Sequence, residues 1–275
     1  MDIDFITFIG PNSADYAEYL KYTCEVFLSG KHNINWKCVN SVGADRIPTG
    51  YKCIAESGDF GHNSLNHGEA INKSLEYIDT EYVVLIDVDM AIVYQNWDDV
   101  IVNELNQVDC FGVGYSHSKK YRNFPTVYLF AFRSYILDKV KLDFRPAVAK
   151  GVDSPHRYKL PANEAKLFGM KQGSIIKCDT GWKLPLIVKG AGFTGKAIPM
   201  VMMTSKDAQL PFENEKHKKL CMQKPGHQYE WWYNGKIFAT HKQASRVHPL
   251  KGTWGDAWKR RIDLYIRRQK NESAI

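Results

Sequence analysis

Tyr82-Val83-Val84-Leu85-Ile86-Asp87-Val88-Asp89 is the stretch that decides how the rest of the chain is read. An apolar run, mostly β-branched, leads straight into two aspartates spaced one apart. A short continuous apolar run of this kind reads as a strand buried on both faces. Carboxylates at its C-terminal end stand where open α/β sheets place their ligands. The pair suits a divalent metal site that holds a diphosphate, because hard cations take oxygen ligands and bridge phosphates. A histidine added to such a set would favour a transition ion such as manganese.

Upstream, 3–10 reads as a first strand, ended by Gly10-Pro11, with Asn12-Ser13 offering an N-cap. A helix follows over 14–28, with Tyr16, Leu20, Cys24 and Phe27 near helical spacing and Gly30 as its stop. Strands are predicted at 34–41 and 51–55, then a polar loop over 56–63 and a helix over 64–78. This β-α-β-β-α-β alternation predicts a mainly parallel sheet with helices on its faces. A nucleotide would bind at the strand C-termini, near the ends of strands one and two.

Downstream, a helix is expected from Trp97 to 107, strands at 110–115 and 126–133, and a short helix or turn at 135–140. The stretch 144–161 reads as a surface loop and 162–170 as a helix. Asp179-Thr180-Gly181-Trp182 reads as a loop leading into a helix, and 206–225 as a mobile basic segment. A last strand spans 236–240, followed by His241. Trp254, Trp258, Ile262 and Tyr265 recur every three or four residues, which predicts an amphipathic C-terminal helix with a basic outer face.

The chain has 275 residues, 44% hydrophobic, enough for a sizeable core, and a net charge of +7. That balance suits an acidic ligand such as a nucleotide, a phosphorylated lipid or a nucleic acid. Cys24, Cys38, Cys53, Cys110, Cys178 and Cys221 form no CxxC pair, which argues against a zinc ribbon or a disulfide framework. Met1-Asp2 is not the basic start of a signal peptide, and no apolar run nears the ~18 residues of a membrane span. No transmembrane segment and a reducing, cytoplasmic setting are therefore expected. A second Asp-x-Asp, Asp2-Ile3-Asp4, reads as a solvated N-terminus.

The segment His67-Gly68-Glu69-Ala70-Ile71-Asn72, then a helix, then the opening strand, resembles the nucleotide-sugar-binding half of GT-A fold glycosyltransferases, most of all the family 2 group. The likeness covers roughly 3–115 as pattern and single motifs further on. It implies an α/β GT-A fold (the nucleotide-diphospho-sugar transferase fold), a mostly parallel sheet flanked by helices. It implies one domain over 1–275, with a donor half at 1–114, an acceptor half at 115–250 and a basic C-terminal helix at 251–275. The function implied is metal-dependent transfer of a sugar from a UDP- or GDP-type donor to a hydroxyl acceptor in glycan biosynthesis. Mn2+ or Mg2+ would be the cofactor. Asp89 would be the main metal ligand, with Asp87 on the metal or the donor ribose. Ile9, Pro11, Asn12, Asn40 and Ser41 would flank base and ribose, and Asn66 would line the donor site. Many relatives carry Asp near Asn40 and Arg near Asn66.

Phe238-Ala239-Thr240-His241-Lys242-Gln243-Ala244-Ser245-Arg246 is similar to a segment in which a histidine completes the metal shell. His241 is the candidate, with His248 as its rival, and Lys242 or Arg246 would reach the diphosphate. Asp179 is the candidate base for an inverting reaction, with Glu164 and Asp153 as alternatives. Aspartate is also a preferred helix N-cap. Trp182, Trp231 and Trp232 are candidates for stacking on an acceptor sugar. The acceptors that fit the positive charge are an anionic glycan, a lipid-linked glycan and a modified nucleic acid.

Two rival readings use the same features. In a haloacid-dehalogenase-like phosphatase, Asp87-Val88-Asp89-Met90-Ala91-Ile92 would be the nucleophile motif; that family also has a later Gly-Asp pair with another Asp shortly after, and Gly255-Asp256 has no such partner. That family normally has Gly where Ala91 stands. In a nucleic-acid or membrane-surface binding protein on a degenerate transferase fold, 216–219 and 259–261 with Arg267-Arg268 would be the binding surface.

Overall fold

A computed structural model of the chain describes residues 1–41, 43–115, 124–148, 155–202, 208–223, 228–242 and 248–272. The first half runs β1 (Asp2–Ile9), α1 (Ala14–Val26), β2 (Asn33–Asn40), β3 (Lys52–Glu56), α2 (Asn63–Ser74), β4 (Tyr82–Ile86), β5 (Met90–Ile92), α3 (Trp97–Leu105), β6 (Cys110–Val113) and β7 (Leu129–Arg133). The second runs β8 (Arg157–Lys159), α4 (Ala162–Leu167), β9 (Ile175–Lys177), α5 (Leu184–Gly190), β10 (Gly195–Ile198), β11 (Met200–Met202), α6 (Glu215–Met222), β12 (Gln228–Tyr233), β13 (Lys236–Lys242) and α7 (Thr253–Glu272).

A seven-stranded sheet in the order β10-β6-β7-β4-β1-β2-β3 forms the centre. β7 is its single antiparallel strand, pairing with β4 and β6, so the fold is the expected mainly parallel α/β sheet. Alternation along β1 shows why both faces need cover. Ile3, Phe5 and Ile9 enter one core with Tyr16, Leu20 and Trp97, while Ile6 and Phe8 enter another with Ala70 and Ile71. β4 divides in the same way, Tyr82, Val84 and Ile86 against Val83 and Leu85. Burying each large aliphatic contributes about 1.5–3 kcal/mol, which keeps the strand central. α1 covers the first face, with Tyr16, Ala17, Leu20 and Cys24 all buried at helical spacing.

The chain steps outward from β1 to β2 to β3, then returns to place β4 on the other side of β1. The strand order therefore reverses between β1 and β4. A crevice opens at the carboxyl ends of the strands at such a switch point. β5 leaves this crevice to join a second, antiparallel sheet in the order β11-β12-β13-β5. β13 pairs with β5 so that His241 lies opposite Met90, the residue after Asp89.

Several elements depart from the sequence reading. β5, β9, β10 and β11 span three or four residues each, too short to show a period. The basic stretch over 206–225 contains α6, whose His217 is buried with its Nε2 2.8 Å from the Ala257 carbonyl oxygen. Asp4 is not solvated: it is fully buried at the far end of β1, 2.9 Å from Lys37 Nζ, and accepts hydrogen bonds from Asn35 and from the Asp79 backbone. The C-terminal helix does pack back on the body, with Trp258, Ile262 and Ile266 in the same core as Ile3.

Candidate metal centre and nucleotide cavity

The turn after β4 carries the two aspartates and is fixed by its own backbone. Asp87 N–H donates to the Tyr128 carbonyl at 3.1 Å, and Met90 N–H to the Asp87 carbonyl at 3.2 Å. Lys242 N–H donates to the Asp89 carbonyl at 2.8 Å, continuing the β13–β5 ladder. That ladder delivers His241: its Nε2 lies 3.1 Å from Asp89 Oδ1. The imidazole lies tilted against Tyr128, ring centres 4.6 Å apart, and nearly parallel to Tyr229 at 6.0 Å. Asp87, Asp89 and His241 each offer a ligand atom, and these atoms lie within 4.8 Å of one another. Asp87 Oδ1 and His241 Nδ1 are buried; His241 Nδ1 meets no hydrogen-bond partner among the described residues, and Asp87 Oδ1 meets only the Nε2 of His67, 3.1 Å away. A buried carboxylate oxygen left in this state is costly, and a cation would satisfy it. Two carboxylates and one imidazole match the donor set of a divalent ion such as Mn2+ or Mg2+.

Beside this cluster is a cavity of about 450 Å³ at the switch point. Gly10, Pro11 and Ser13 from the end of β1, Ser41 after β2, and Asp59 to Asn66 around the start of α2 form its walls, with Asp87 and Asp89 at one end. Its lining includes three aspartates and no lysine or arginine among the described residues. A cation held beside Asp87 and Asp89 would offset the repulsion that this acidic lining offers a diphosphate. Asn66 ties down one wall: its Oδ1 accepts from Phe60 N–H at 2.7 Å and its Nδ2 donates to Asp59 Oδ1 at 3.1 Å. His62 caps α2 by accepting from Ser64 N–H at 3.2 Å.

His67, quoted within the motif but given no role by sequence reasoning, lines the cavity with its Nε2 3.1 Å from Asp87 Oδ1. Burial alone would lower its proton affinity. The nearby charge of Asp87 and the contact with it, with smaller contributions from Asp179 and Asp89, raise it above the ordinary histidine value. Asp179 is thus near enough to act on the charge of His67. It follows β9, where its Oδ1 accepts from Thr180 N–H at 2.9 Å and Thr180 Oγ1 donates to the Ser64 carbonyl at 3.1 Å. Tyr128 was also missed by sequence. Its hydroxyl is held protonated by burial, and by Tyr115, Asp87, Asp179 and Asp89 acting together.

Other expected site residues stand elsewhere. Ile9 is fully buried in the core and does not line the cavity, which its neighbours Phe8 and Gly10 do. Asn40 pairs with Ile9 and Glu56 in the sheet and does not line the cavity; Asn12, beside Pro11, adopts a left-handed backbone with φ 59°. Lys242 is fully buried beneath Asp89, and burial pulls its ammonium down to about 8 against the pull of that carboxylate. It cannot touch a diphosphate from this position. Trp231 is fully buried, donating to the Gly114 carbonyl at 2.6 Å, and Trp182 sits in a small core with Tyr158, Leu160 and Phe168. Neither ring is free to stack on a sugar, which corrects the acceptor reading for both. Trp232 is half-buried and donates to Glu230 on the face away from Tyr229 and His241. His248 takes no part in the cluster and accepts from Tyr16 through its carbonyl. Glu164 lies on α4 beside Tyr158, while Arg246 and Asp153 lie outside the described residues.

Gly255-Asp256 and 259–261, two of the features behind the rival readings, are engaged in packing and ion pairs. Gly255 and Asp256 lie in the first turn of α7, where a Cβ on Gly255 would meet the Pro249 carbonyl at 2.5 Å, and Asp256 pairs with Arg260. The basic run on α7 is largely paired: Lys259 with Asp263, Arg260 with Asp256 and Glu213, Arg261 with Glu230.

No protein-family model matches the chain, and no curated protein matches it. Among solved structures it is similar to the mannosyltransferase PcManGT from Pyrobaculum calidifontis in complex with GDP-Man and Mn2+. The identity is 16% over 50% of this chain and 45% of that one, with a TM-score of 0.38. It is also similar to S. aureus TarS 1-349 in complex with UDP, at 16% identity over 52% of this chain and 50% of that one, TM-score 0.36. TarS 1-349 without a named ligand matches at 17% identity over 65% and 57%, TM-score 0.36. The chain spans about half the length of the solved structures it matches. No helix among the described residues is long and apolar enough to cross a membrane.

Proposed function

We propose that this chain is a metal-dependent GT-A glycosyltransferase that moves a sugar from a nucleotide-diphospho-sugar to a hydroxyl acceptor with inversion. The observation that carries the reading is the Asp87–Asp89–His241 cluster at the switch-point end of β4, opening on an acidic cavity. Asp87, Asp89 and His241 would hold Mn2+ or Mg2+. Such an ion offsets diphosphate charge and acts as a Lewis acid on the leaving oxygen. Pro11, Ser13 and Ser41 would border base and ribose, and the Asp59–Asn66 wall would close over them. The acceptor hydroxyl oxygen bonds to the anomeric carbon as the bond from that carbon to the phosphate oxygen breaks. The nucleoside diphosphate leaves with the electron pair, and the hydroxyl proton passes to Asp179. The hydrogen bond from Thr180 N–H and the anchor of Thr180 on α2 would aim that carboxylate. A cytoplasmic setting and an acceptor of glycan type complete the proposal.

A panel of nucleotide-sugars, assayed for release of the nucleoside diphosphate with Mn2+ and with chelator, tests the reading. Release from one donor class, dependent on the metal and lost in Asp89→Ala, is expected. Metal-independent release, or turnover of p-nitrophenyl phosphate that depends on Asp87, would overturn it.

A further inference from the structure

The 87–89 turn is gripped from two sides. His241 reaches Asp89 from β13, and His67 reaches Asp87 from α2, each with Nε2 3.1 Å from a carboxylate oxygen. The two histidines are not equivalent. His241 belongs to the cluster of convergent ligand atoms, whereas His67 stands outside it. Its ring is set edge-on against Phe8 at 5.4 Å. The helix that carries it is seated closely: a Cβ on Gly68 would lie 2.8 Å from the Phe144 carbonyl oxygen. The place of His67 is thus fixed by packing that has nothing to do with Asp87. The Asp87 oxygen it faces, Oδ1, has no other partner among the described residues, and a carboxylate torsion is soft.

We propose that His67 is a positioning residue that turns the Asp87 carboxylate toward Asp89 and His241 and so sets the affinity of the cation site without being a ligand. The inference rests on the reading of that cluster as a metal site. Outer partners of ligating carboxylates orient them, and losing one weakens metal binding by about 10–100-fold. What the role requires of residue 67 is one N–H at the distance of Nε2. Glutamine can present an amide N–H there. Methionine fills similar space beside Phe8, is a good helix former, and offers no donor.

Titration calorimetry of the whole protein with MnCl2 tests this, with apo melting temperatures recorded alongside. His67→Met is expected to weaken Mn2+ binding by about 10–100-fold with an unchanged apo melting temperature, and His67→Gln to stay within about threefold of wild type. Wild-type affinity in His67→Met would overturn the inference. So would equal loss in both variants, which would make His67 a ligand. Asp89→Ala separates the two levels. If the wild type binds Mn2+ and Asp89→Ala does not, the metal site stands and only the role of His67 is being judged. If wild type and Asp89→Ala respond alike, the metal site itself falls.

Discussion

Asp89 has its carbonyl in the β13–β5 ladder and its carboxylate against His241, so its backbone and side chain are set by the same strand. A site built this way should fail when the one side chain goes and the strand stays. Asp89→Ala is expected to fold as wild type and to lose the rise in melting temperature that Mn2+ with a nucleoside diphosphate produces. An undiminished rise would refute the assignment. Asp179→Asn should retain that rise, because Asp179 lies outside the cluster, yet lower kcat by about 10²–10⁴-fold. Steady-state kinetics with the identified donor measures it, and a wild-type kcat would remove Asp179 as the base. Asp87 and Asp89 were legible in sequence because a buried strand end is a recognisable place. His67 was not, because its contact crosses from α2 to the end of β4, and spacing along the chain carries no sign of that. Trp231 was misread for a related reason: a dense aromatic run does not say which rings face inward.

At the scale of elements, the site depends on close approaches that small residues permit. Gly68 lets α2 lie against the Phe144–Arg145 backbone, and Gly181 takes a φ of 72° where its Cβ would meet Val127 at 2.5 Å. Gly68→Ala should cost about 1–3 kcal/mol in a denaturant melt, since backbone and not a flexible side chain must move. A cost below about 0.5 kcal/mol would show that α2 has room to shift. α7 is tied to β12 by a fully buried pair, Arg261 to Glu230 at 3.1 Å, and Arg261 also donates to Gln228 and to the Leu210 and Pro211 carbonyls. Arg261→Met would strand the Glu230 charge and is expected to destabilise by about 3–5 kcal/mol, read in the same melts. β1, β2, α1, α2 and α7 were legible because each is long enough to show a pattern, whereas β10, also parallel, spans four residues and was not. β5, which turns the aspartates toward the second sheet, is three residues long and shows none.

For the whole molecule, charge is unevenly placed. The chain carries a net +7, while the cavity at the switch point is lined by aspartates. Carboxylates elsewhere govern acid stability. Hydrogen bonding to Arg46 brings Glu18 down to about 2, and Arg145 and Lys183 bring Asp143 to about 2 against the opposing effect of burial. Both groups bind protons less readily folded than unfolded. Their stabilisation is therefore present above about pH 4.5 and is lost as pH falls toward 2. Melting temperature should fall over that window, and the fall should be shallower in a Glu18→Gln, Asp143→Asn double variant; an identical slope would contradict it. The acidic cavity bears on the central claim, that Asp87, Asp89 and His241 hold a cation on which a diphosphate depends. Calorimetric titration of UDP and GDP into the protein, with Mn2+ and then with EDTA, tests it most directly. One of the two nucleotides is expected to bind in Mn2+ and to lose at least about tenfold in affinity in EDTA. Equal binding in EDTA would contradict the account.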